Sequence, residues 1–134
     1  MRANREYQIC KDIAIYMRLQ YPKVLFHFDL AGLNLSRAQA GMMKAIQGGR
    51  GWPDLFIAQP NHGYFGMFME VKKEDTRLYK CSDNSKGTTP HIIEQIECIL
   101  NLDNKGYYSS FGIGFDNCKR IIDEYLSNYL KHKT

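Results

Sequence analysis

The sequence predicts a single α/β domain with a mixed central sheet of about four strands flanked by helices, in the order αβαββαβα. Two observations support this fold class. Segments with apolar residues at helical spacing alternate with short β-rich runs, and clusters of turn-forming residues separate them. The chain of 134 residues fits one domain, and neither an internal repeat nor a linker divides it. All motifs are therefore expected to belong to one folded unit.

The individual elements are predicted from periodicity and from residues that start or end helices and strands. In the first helix, for example, Ile9, Ile13 and Met17 share one face, and Glu6 extends that stripe by one turn. The predicted elements are a helix over 4–20, a strand over 23–28, a helix over 37–47 capped by Ser36 or Asn34 and stopped at Gly48 and Gly49, a hairpin of 54–58 and 64–72, a helix from Pro90 to Gly106, a strand over 107–114 and a helix over 116–130. The polar segment 73–89 is predicted to be a long exposed loop.

Composition excludes several classes of protein. No apolar run approaches the roughly 20 residues that span a bilayer, so no membrane association is expected. A hydrophobic fraction of 44% and only four prolines argue against a disordered chain. The N-terminal segment has charges at both edges of its apolar pattern and no small-residue cleavage site, unlike a signal peptide. We therefore expect a soluble cytoplasmic protein.

The cysteines and histidines are scattered and do not form the close ligand pairs that zinc sites use. They are Cys10, Cys81, Cys98 and Cys118, and His27, His62, His91 and His132. Reduced structural thiols are the expected state, and no zinc site is predicted.

A net charge of +4 and a pI near 8.9 indicate a mildly basic protein. Lysines and arginines recur in segments with turn character, which is compatible with binding to a phosphate backbone. A solvated basic surface explains the same charge equally well. The cations concerned are Arg50, Lys72, Lys73, Arg77, Lys80 and Lys86.

An acidic pair and a lysine lie within segments that otherwise have the character of buried strands. Side chains alternate along a strand, so Glu70 and Lys72 are predicted to project on the same side. If the hairpin pairs as its short turn suggests, Asp54 approaches Glu70. Two close carboxylates repel each other unless a cation lies between them, and a hard divalent ion such as Mg²⁺ satisfies that requirement. The carbonyl of Val71 is a candidate third oxygen ligand.

This arrangement matches what phosphodiester hydrolysis needs, namely a metal ion, an activated water and stabilisation of developing charge. Asp54 and Glu70 are the candidate metal ligands, and Lys72 is the candidate group that positions the water. A surface ion pair between Glu70 and Lys72 accounts for the same short pattern, since such spacings recur by chance.

A wider set of motifs resembles the PD-(D/E)XK nuclease superfamily and, within it, the VRR-NUC group of virus-type replication-repair nucleases. The resemblance extends from Glu6 to about Tyr129 and depends on the order of its parts. These are "RE" in the first helix, "LSRAQAGMMKAIQGGRGWPDLFI", "FGMFMEVKK", "EQIECILNLDNKGY" and "GFDNCKRIIDEYL". The family implies a restriction-endonuclease-like arrangement of the predicted sheet and helices.

The resemblance also implies residue roles. Asp54 and Glu70 would be metal ligands and Lys72 the catalytic lysine, while Glu6 would complete the metal site directly or through water. Gln95 would hydrogen-bond to the site or to the scissile phosphate. Each of the last two has a simpler explanation, because Glu6 also suits a solvated first helical turn and Gln95 also suits a satisfied core amide.

Contacts to nucleic acid are expected around the glycine turn and after the second strand of the hairpin. Gly51 and its neighbouring glycines would let the backbone approach the nucleic acid with Arg50 on a phosphate, although a helix stop explains two of these glycines as well. Lys73 and Arg77 are further candidates for backbone contacts. An N-cap and an exposed arginine are sufficient explanations for Ser36 and Arg37, and substrate contacts between Lys72 and Gln95 cannot be transferred from the family.

These inferences predict a Mg²⁺- or Mn²⁺-dependent DNA endonuclease of phage-type replication, repair or recombination. A catalytically silent DNA-binding or assembly module is the main alternative, and a small-molecule phosphohydrolase fits less well because no phosphate-cradling loop motif is present. Cutting a four-way (Holliday) junction symmetrically needs two active sites, so a homodimer that prefers branched DNA is predicted. The candidate dimer surface is aromatic and draws on Tyr64, Tyr107, Tyr108, Phe111, Tyr125 or Tyr129, with the last two expected to be core residues.

Overall fold

The computed structural model describes residues 4–29, 33–78 and 89–131. Within these ranges, four helices and four strands follow one another in the predicted order αβαββαβα. They are α1 (Arg5–Gln20), β1 (Phe26–Phe28), α2 (Arg37–Ala45), β2 (Leu55–Ile57), β3 (Met67–Lys72), α3 (Pro90–Asn104), β4 (Tyr108–Ile113) and α4 (Phe115–Lys131).

The strands form one mixed sheet in the order β1-β2-β3-β4. The first three strands pair antiparallel, whereas β3 and β4 pair parallel and are connected through α3. Leu55 lies opposite Met69 in the β2–β3 pair, so the residue before β2 lies beside Glu70. The sheet therefore has the predicted mixed character and the predicted hairpin.

The two faces of the sheet have different partners. Alternate side chains of β3, Met67, Met69 and Val71, belong to an apolar core that also contains residues of α1 and α4. The side chains between them project to the opposite face, where Glu70 hydrogen-bonds to a residue of α3. The polar residues of β3 therefore lie in a layer between the sheet and α3, away from the main core.

Capping residues fix where the helices begin. Ser36 caps α2 through a reciprocal capping box with Gln39, and Thr89 caps α3 just before Pro90. Ser36 rather than Asn34 is therefore the N-cap of α2. That helix ends at Ala45, earlier than predicted, and buries none of its residues. At the C-cap, the backbone N–H of Ile46 donates to the carbonyl of Met43, three residues back, so the α-helical hydrogen-bond pattern already ends before the glycines.

Most strands are shorter than the β-rich runs predicted. Before β3, residues Asn61 and Tyr64 form an isolated bridge around a turn in which His62 has a φ of 52°. This turn takes up residues that were expected to extend the hairpin, so β3 begins at Met67. Of the loop predicted over 73–89, residues 79–88 lie outside the described part of the chain. Within the described residues, no helix combines the length and the apolarity that crossing a bilayer requires.

Candidate active site

Asp54 and Glu70 face each other across the β2–β3 hairpin, as the sequence predicts. Asp54 directly precedes β2, and its Oδ2 atom accepts a hydrogen bond of 2.8 Å from the backbone amide of Val71. Glu70 is buried in the middle of β3. The two carboxyl groups are close enough for each to influence the pKa of the other. The hairpin register thus brings together two carboxyl groups that the sequence separates.

Lys72 projects on the same side of β3 as Glu70, and its Nζ atom lies 3.6 Å from Oε2 of Glu70. Both side chains are buried, so this is an ion pair beneath the surface and not the solvated pair that chance spacing would produce. Lys73, which follows β3, is exposed, and its Nζ atom lies 3.9 Å from Oδ1 of the exposed Asp75. The predicted difference between the two lysines is therefore present in the fold.

Gln95 is buried on α3 and donates a hydrogen bond of 3.1 Å from Nε2 to Oε2 of Glu70. Its Nε2 atom also lies 3.2 Å from Nε2 of His91, one helical turn earlier. Because an amide nitrogen only donates, the imidazole nitrogen is the acceptor in this contact. His91 was not predicted to have a role. Its spacing of four residues from Gln95 on one helix face was the signal that could have identified it.

Burial and mutual repulsion control the ionisation of the two carboxyl groups. Burial is the largest effect that raises the pKa of Glu70, the charge of Asp54 raises it further, and Lys72 only partly opposes both. Burial also raises the pKa of Asp54, although the hydrogen bond from Val71 opposes that shift. Two anionic carboxylates at this position therefore need more positive charge than Lys72 alone supplies.

Several features of the site fit a divalent metal ion. Glu70 Oε1 and Gln95 Oε1 are both buried and lack a hydrogen-bond partner among the described residues. Carboxylate and amide oxygens are the ligands that hard divalent cations such as Mg²⁺ prefer. Asp54 and Glu70 supply carboxylate oxygens, and one of these, Glu70 Oε1, has no hydrogen-bond partner among the described residues. The residues present therefore suit a bound cation.

Glu6 lies close to this pair without joining it. Its Oε2 atom is 3.4 Å from the backbone nitrogen of Lys73, and its charge raises the pKa of both Asp54 and Glu70. In the described part of the chain, no three histidine, cysteine or acidic side chains are close enough together to hold a metal ion. The predicted ligand role of Glu6 stays a prediction, as does that of the Val71 carbonyl, because the Val71 contact seen with Asp54 uses the amide.

The site opens into a cavity of about 700 Å³ between α2, α3 and the turn at 48–52. Glu6, Asp54, Glu70, Lys72, His91 and Gln95 all contribute to its lining. Arg50 is also at this cavity, exposed and 3.4 Å from Glu94. Four segments that are distant in the sequence therefore supply the walls of one concave site.

Gly51 has a structural reason to be glycine. Its φ is +76°, and a Cβ atom there would lie 2.5 Å from the carbonyl oxygen of Glu94 on α3. The turn at 48–52 can therefore pack directly on the backbone of α3 only with glycine at this position. The predicted nucleic-acid contact at Gly51 stays a prediction beside this packing role.

The remaining candidate residues lie outside the centre of the site. Lys73 and Arg77 are exposed on the segment that follows β3. Among the aromatic residues of the predicted dimer surface, Tyr125 is buried in the core, as expected, while Tyr64 is partly exposed. Tyr107, Tyr108 and Phe111 are half-buried, and the side chain of Tyr129 lies outside the described residues.

Comparison with known proteins agrees with this architecture. A solved structure described as "VRR_NUC domain protein" superposes with a TM-score of 0.65 at 23% sequence identity, and the match covers 95% of this chain and 92% of that chain. No protein-family model and no curated protein matches the sequence. The chain therefore has the VRR-NUC nuclease-domain fold, and the α/β fold class predicted from the sequence is confirmed.

Proposed function

We propose that this protein is a metal-dependent nuclease that hydrolyses phosphodiester bonds in DNA. The observation that carries the proposal is the trio of Asp54, Glu70 and Lys72, in which Glu70 and Lys72 are buried and Glu70 Oε1 is left without a partner among the described residues. Bringing two carboxylates together away from water is unfavourable, and proteins keep such arrangements mainly at functional sites. The nuclease-domain fold of the solved neighbour supports the same conclusion.

Asp54 and Glu70 would hold one Mg²⁺ or Mn²⁺ ion, with Glu6 and the Val71 carbonyl as the further ligands we propose. A bound divalent ion supplies Lewis-acid stabilisation of the phosphate and lowers the pKa of water. Asp54 is held for this task by the Val71 amide, and Glu70 is held by the amide of Gln95. The chain itself therefore fixes the orientation of both carboxylates.

Lys72 contributes a positive charge beside the carboxylates. Its ammonium group can orient the attacking water by hydrogen bonding and stabilise negative charge that develops on the phosphate. Gln95 and His91 act as positioning residues in this proposal, because Gln95 hydrogen-bonds to Glu70 and His91 contacts Gln95. We propose that Arg50, Gly51, Lys73 and Arg77 contact the DNA backbone around this centre.

A catalytically silent DNA-binding module is the competing explanation of the same fold. An acidic pair in the floor of the cavity repels phosphate, so a protein that only binds DNA gains nothing from it. The unpartnered oxygen of Glu70 likewise has no purpose in such a module. These two features favour the nuclease.

The finer proposal is a homodimer that prefers branched DNA in phage-type replication, repair or recombination. One copy of this domain has one candidate site, whereas paired nicks across a junction need two sites at a fixed separation. Partly exposed Tyr64 and exposed Phe65 are aromatic groups available for such an interface. Light scattering with and without a four-way junction tests this assembly, and a monomer in both conditions would refute it.

Cleavage assays test the main proposal directly. Labelled single-stranded, duplex, flap and four-way DNAs are incubated with the full chain in Mg²⁺, Mn²⁺ or EDTA. We expect cleavage of at least one DNA with either metal and none in EDTA. If no DNA is cut with any metal while the protein still binds DNA, the silent module is the better explanation.

A further inference from the structure

A second cavity meets the candidate active site from the side of α1. It measures about 320 Å³ and lies between α1 and the residues that follow β1. Asp29, Leu33 and Asp54 line both this cavity and the larger one. A strand whose scissile phosphate lies at the carboxylates can therefore continue directly into the α1 cavity.

One stripe of α1 supplies the outer wall of this cavity. Tyr7, Lys11 and Arg18 follow one another at helical spacing on the side of α1 away from Ile9 and Ile13. Tyr7 is 44% exposed, so its ring is accessible from solvent. The stripe thus presents an aromatic ring and two cations at the same opening.

The two cations of the stripe have no acidic partner in the described part of the chain. Neither Lys11 nor Arg18 forms an ion pair with any residue in the ranges that the structure describes. Arg50, by contrast, is paired with Glu94 at the larger cavity. Unpaired cations beside an aromatic ring are the combination that binds single-stranded nucleic acid, where phosphates meet positive charge and bases stack on rings.

The dimensions of the cavity restrict what can enter it. A volume of about 320 Å³ accommodates one nucleotide but not a base pair with both of its sugars. Tyr7 on one wall and Phe28 on another offer aromatic faces or edges to a base. An unpaired nucleotide therefore fits this cavity better than a base pair does.

We propose that the α1 cavity binds one unpaired nucleotide of the strand to be cut, with its base against Tyr7 and its phosphate near Lys11 and Arg18. This inference depends on the proposed nuclease function and specifies its substrate class. The substrate is DNA that is single-stranded, or opened at a branch point, immediately beside the scissile phosphate. Fully paired duplex fits the cavity less well.

Binding measured in EDTA tests the proposal without requiring cleavage. A short single strand, a blunt hairpin of the same sequence and a duplex with a single-stranded extension are each titrated with the full chain. We expect the blunt hairpin to bind about 10-fold or more weakly than the two DNAs with unpaired nucleotides. A 2-aminopurine base placed at successive positions should lose fluorescence at one position, where it stacks on Tyr7.

Variants separate stacking from charge. Tyr7→Ala should weaken single-strand binding by about 10-fold or more, whereas Tyr7→Phe should retain it because the ring remains. Replacing Lys11 and Arg18 together by alanine should lower the salt dependence of binding by about 1.4 in the slope of log K against log salt. Lys23→Ala, at an exposed lysine in the turn after α1, is the matched control and should leave both measurements unchanged.

Two results would overturn the nucleotide site. One is equal affinity for the blunt hairpin and the single strand, and the other is wild-type binding by Tyr7→Ala with an unchanged circular dichroism spectrum. Cleavage in Mg²⁺ is measured separately on the same DNAs. Binding without any cleavage contradicts the nuclease function, whereas cleavage with unchanged Tyr7→Ala binding contradicts only the α1 site.

Discussion

The backbone amide of Val71 donates a hydrogen bond of 2.8 Å to Oδ2 of Asp54. This bond fixes a site carboxylate to the backbone of β3, between the two residues whose side chains complete the trio, Glu70 and Lys72. The geometry of the site therefore depends on the register of the β2–β3 hairpin as much as on the side chains themselves.

Asp54→Asn is expected to abolish cleavage and keep the fold, because its amide oxygen can still accept the hydrogen bond from Val71 but has no charge to hold a cation. Glu70→Gln should behave in the same way. Removing either negative charge also removes repulsion, so the melting temperature and DNA affinity should be equal to or higher than those of the wild type. Undiminished turnover by either purified variant would exclude the assignment.

Addition of Mg²⁺ should raise the melting temperature of the wild type and not that of Glu70→Gln.

Lys72→Ala should lower the cleavage rate by roughly 100-fold or more, since it removes a charge that stabilises the transition state. Lys73→Ala is the matched control, because this neighbouring lysine is exposed and pairs with Asp75 instead of Glu70. Single-turnover rates at saturating DNA distinguish the two. Equal losses at both positions would mean that each lysine only contacts the DNA backbone.

Gln95→Ala and His91→Ala should both lower kcat more than they raise KM, by about 10-fold for Gln95 and less for His91. Gln95 holds Glu70 directly, whereas His91 acts only through Gln95. Glu97→Ala, at an exposed position on the same helix, should have no comparable effect. The affinity for Mn²⁺ should fall in parallel with kcat, and a change confined to KM would argue against a positioning role.

Gly51→Ala should destabilise the protein by about 2–4 kcal/mol, because alanine is strained at positive φ and its methyl group would overlap the backbone of α3. The overlap is at Glu94, next to Gln95, so cleavage should fall as well. Gly41→Ala is the control, since nothing lies within 4 Å of a Cβ atom there in α2. This change should raise stability by up to about 1 kcal/mol in urea denaturation. A Gly51→Ala protein as stable as the wild type would contradict the packing.

Asp123 predicts a pH dependence of stability. Burial alone would raise the pKa of this carboxyl, but hydrogen bonds from the hydroxyls of Tyr16 and Tyr21 and the charge of Lys119 together hold it below its ordinary value. The folded state then binds fewer protons than the unfolded state in acid, so stability is present above the unfolded pKa and is lost as pH falls through the folded pKa. Asp123→Ala should cost about 1–3 kcal/mol at neutral pH.

The difference between the wild type and Asp123→Ala should therefore shrink on acidification below about pH 4. Glu124→Gln, which alters an exposed ion pair on the same helix, should have little effect at any pH. Denaturant midpoints measured across this pH range test the prediction. A difference that is constant with pH would mean that Asp123 contributes by packing alone.

Local patterns were sufficient to predict the centre of the site. Alternation along one strand placed Glu70 and Lys72 on the same side, and a short hairpin brought Asp54 beside them. These relations involve residues within about 20 positions of one another. Over that range, the alternation of side chains along a strand and the length of the turn determine which side chains meet. The inward position of Gln95 was also predictable, because its isoleucine neighbours marked the buried face of α3.

Relations between distant segments were not predictable in the same way. The packing of Gly51 on the backbone of α3 depends on tertiary contact, and so does the junction of the α1 cavity with Asp54. The end of α2 was misjudged because a glycine pair was assumed to stop the helix, whereas the backbone N–H of Ile46 already bonds to Met43, three residues back. His91 was overlooked because isolated histidines were tested only as zinc ligands.

The hydroxyls of Tyr16 and Tyr21 both bond to Asp123, joining α1 to α4 across more than 100 positions of the chain. Closing so long a loop is slow, and these contacts can form only after α4 has been synthesised. α1 carries Glu6 and one wall of the proposed nucleotide cavity. A nascent chain on the ribosome therefore lacks a fully assembled centre, which would delay the proposed nuclease activity until translation of the domain is nearly complete.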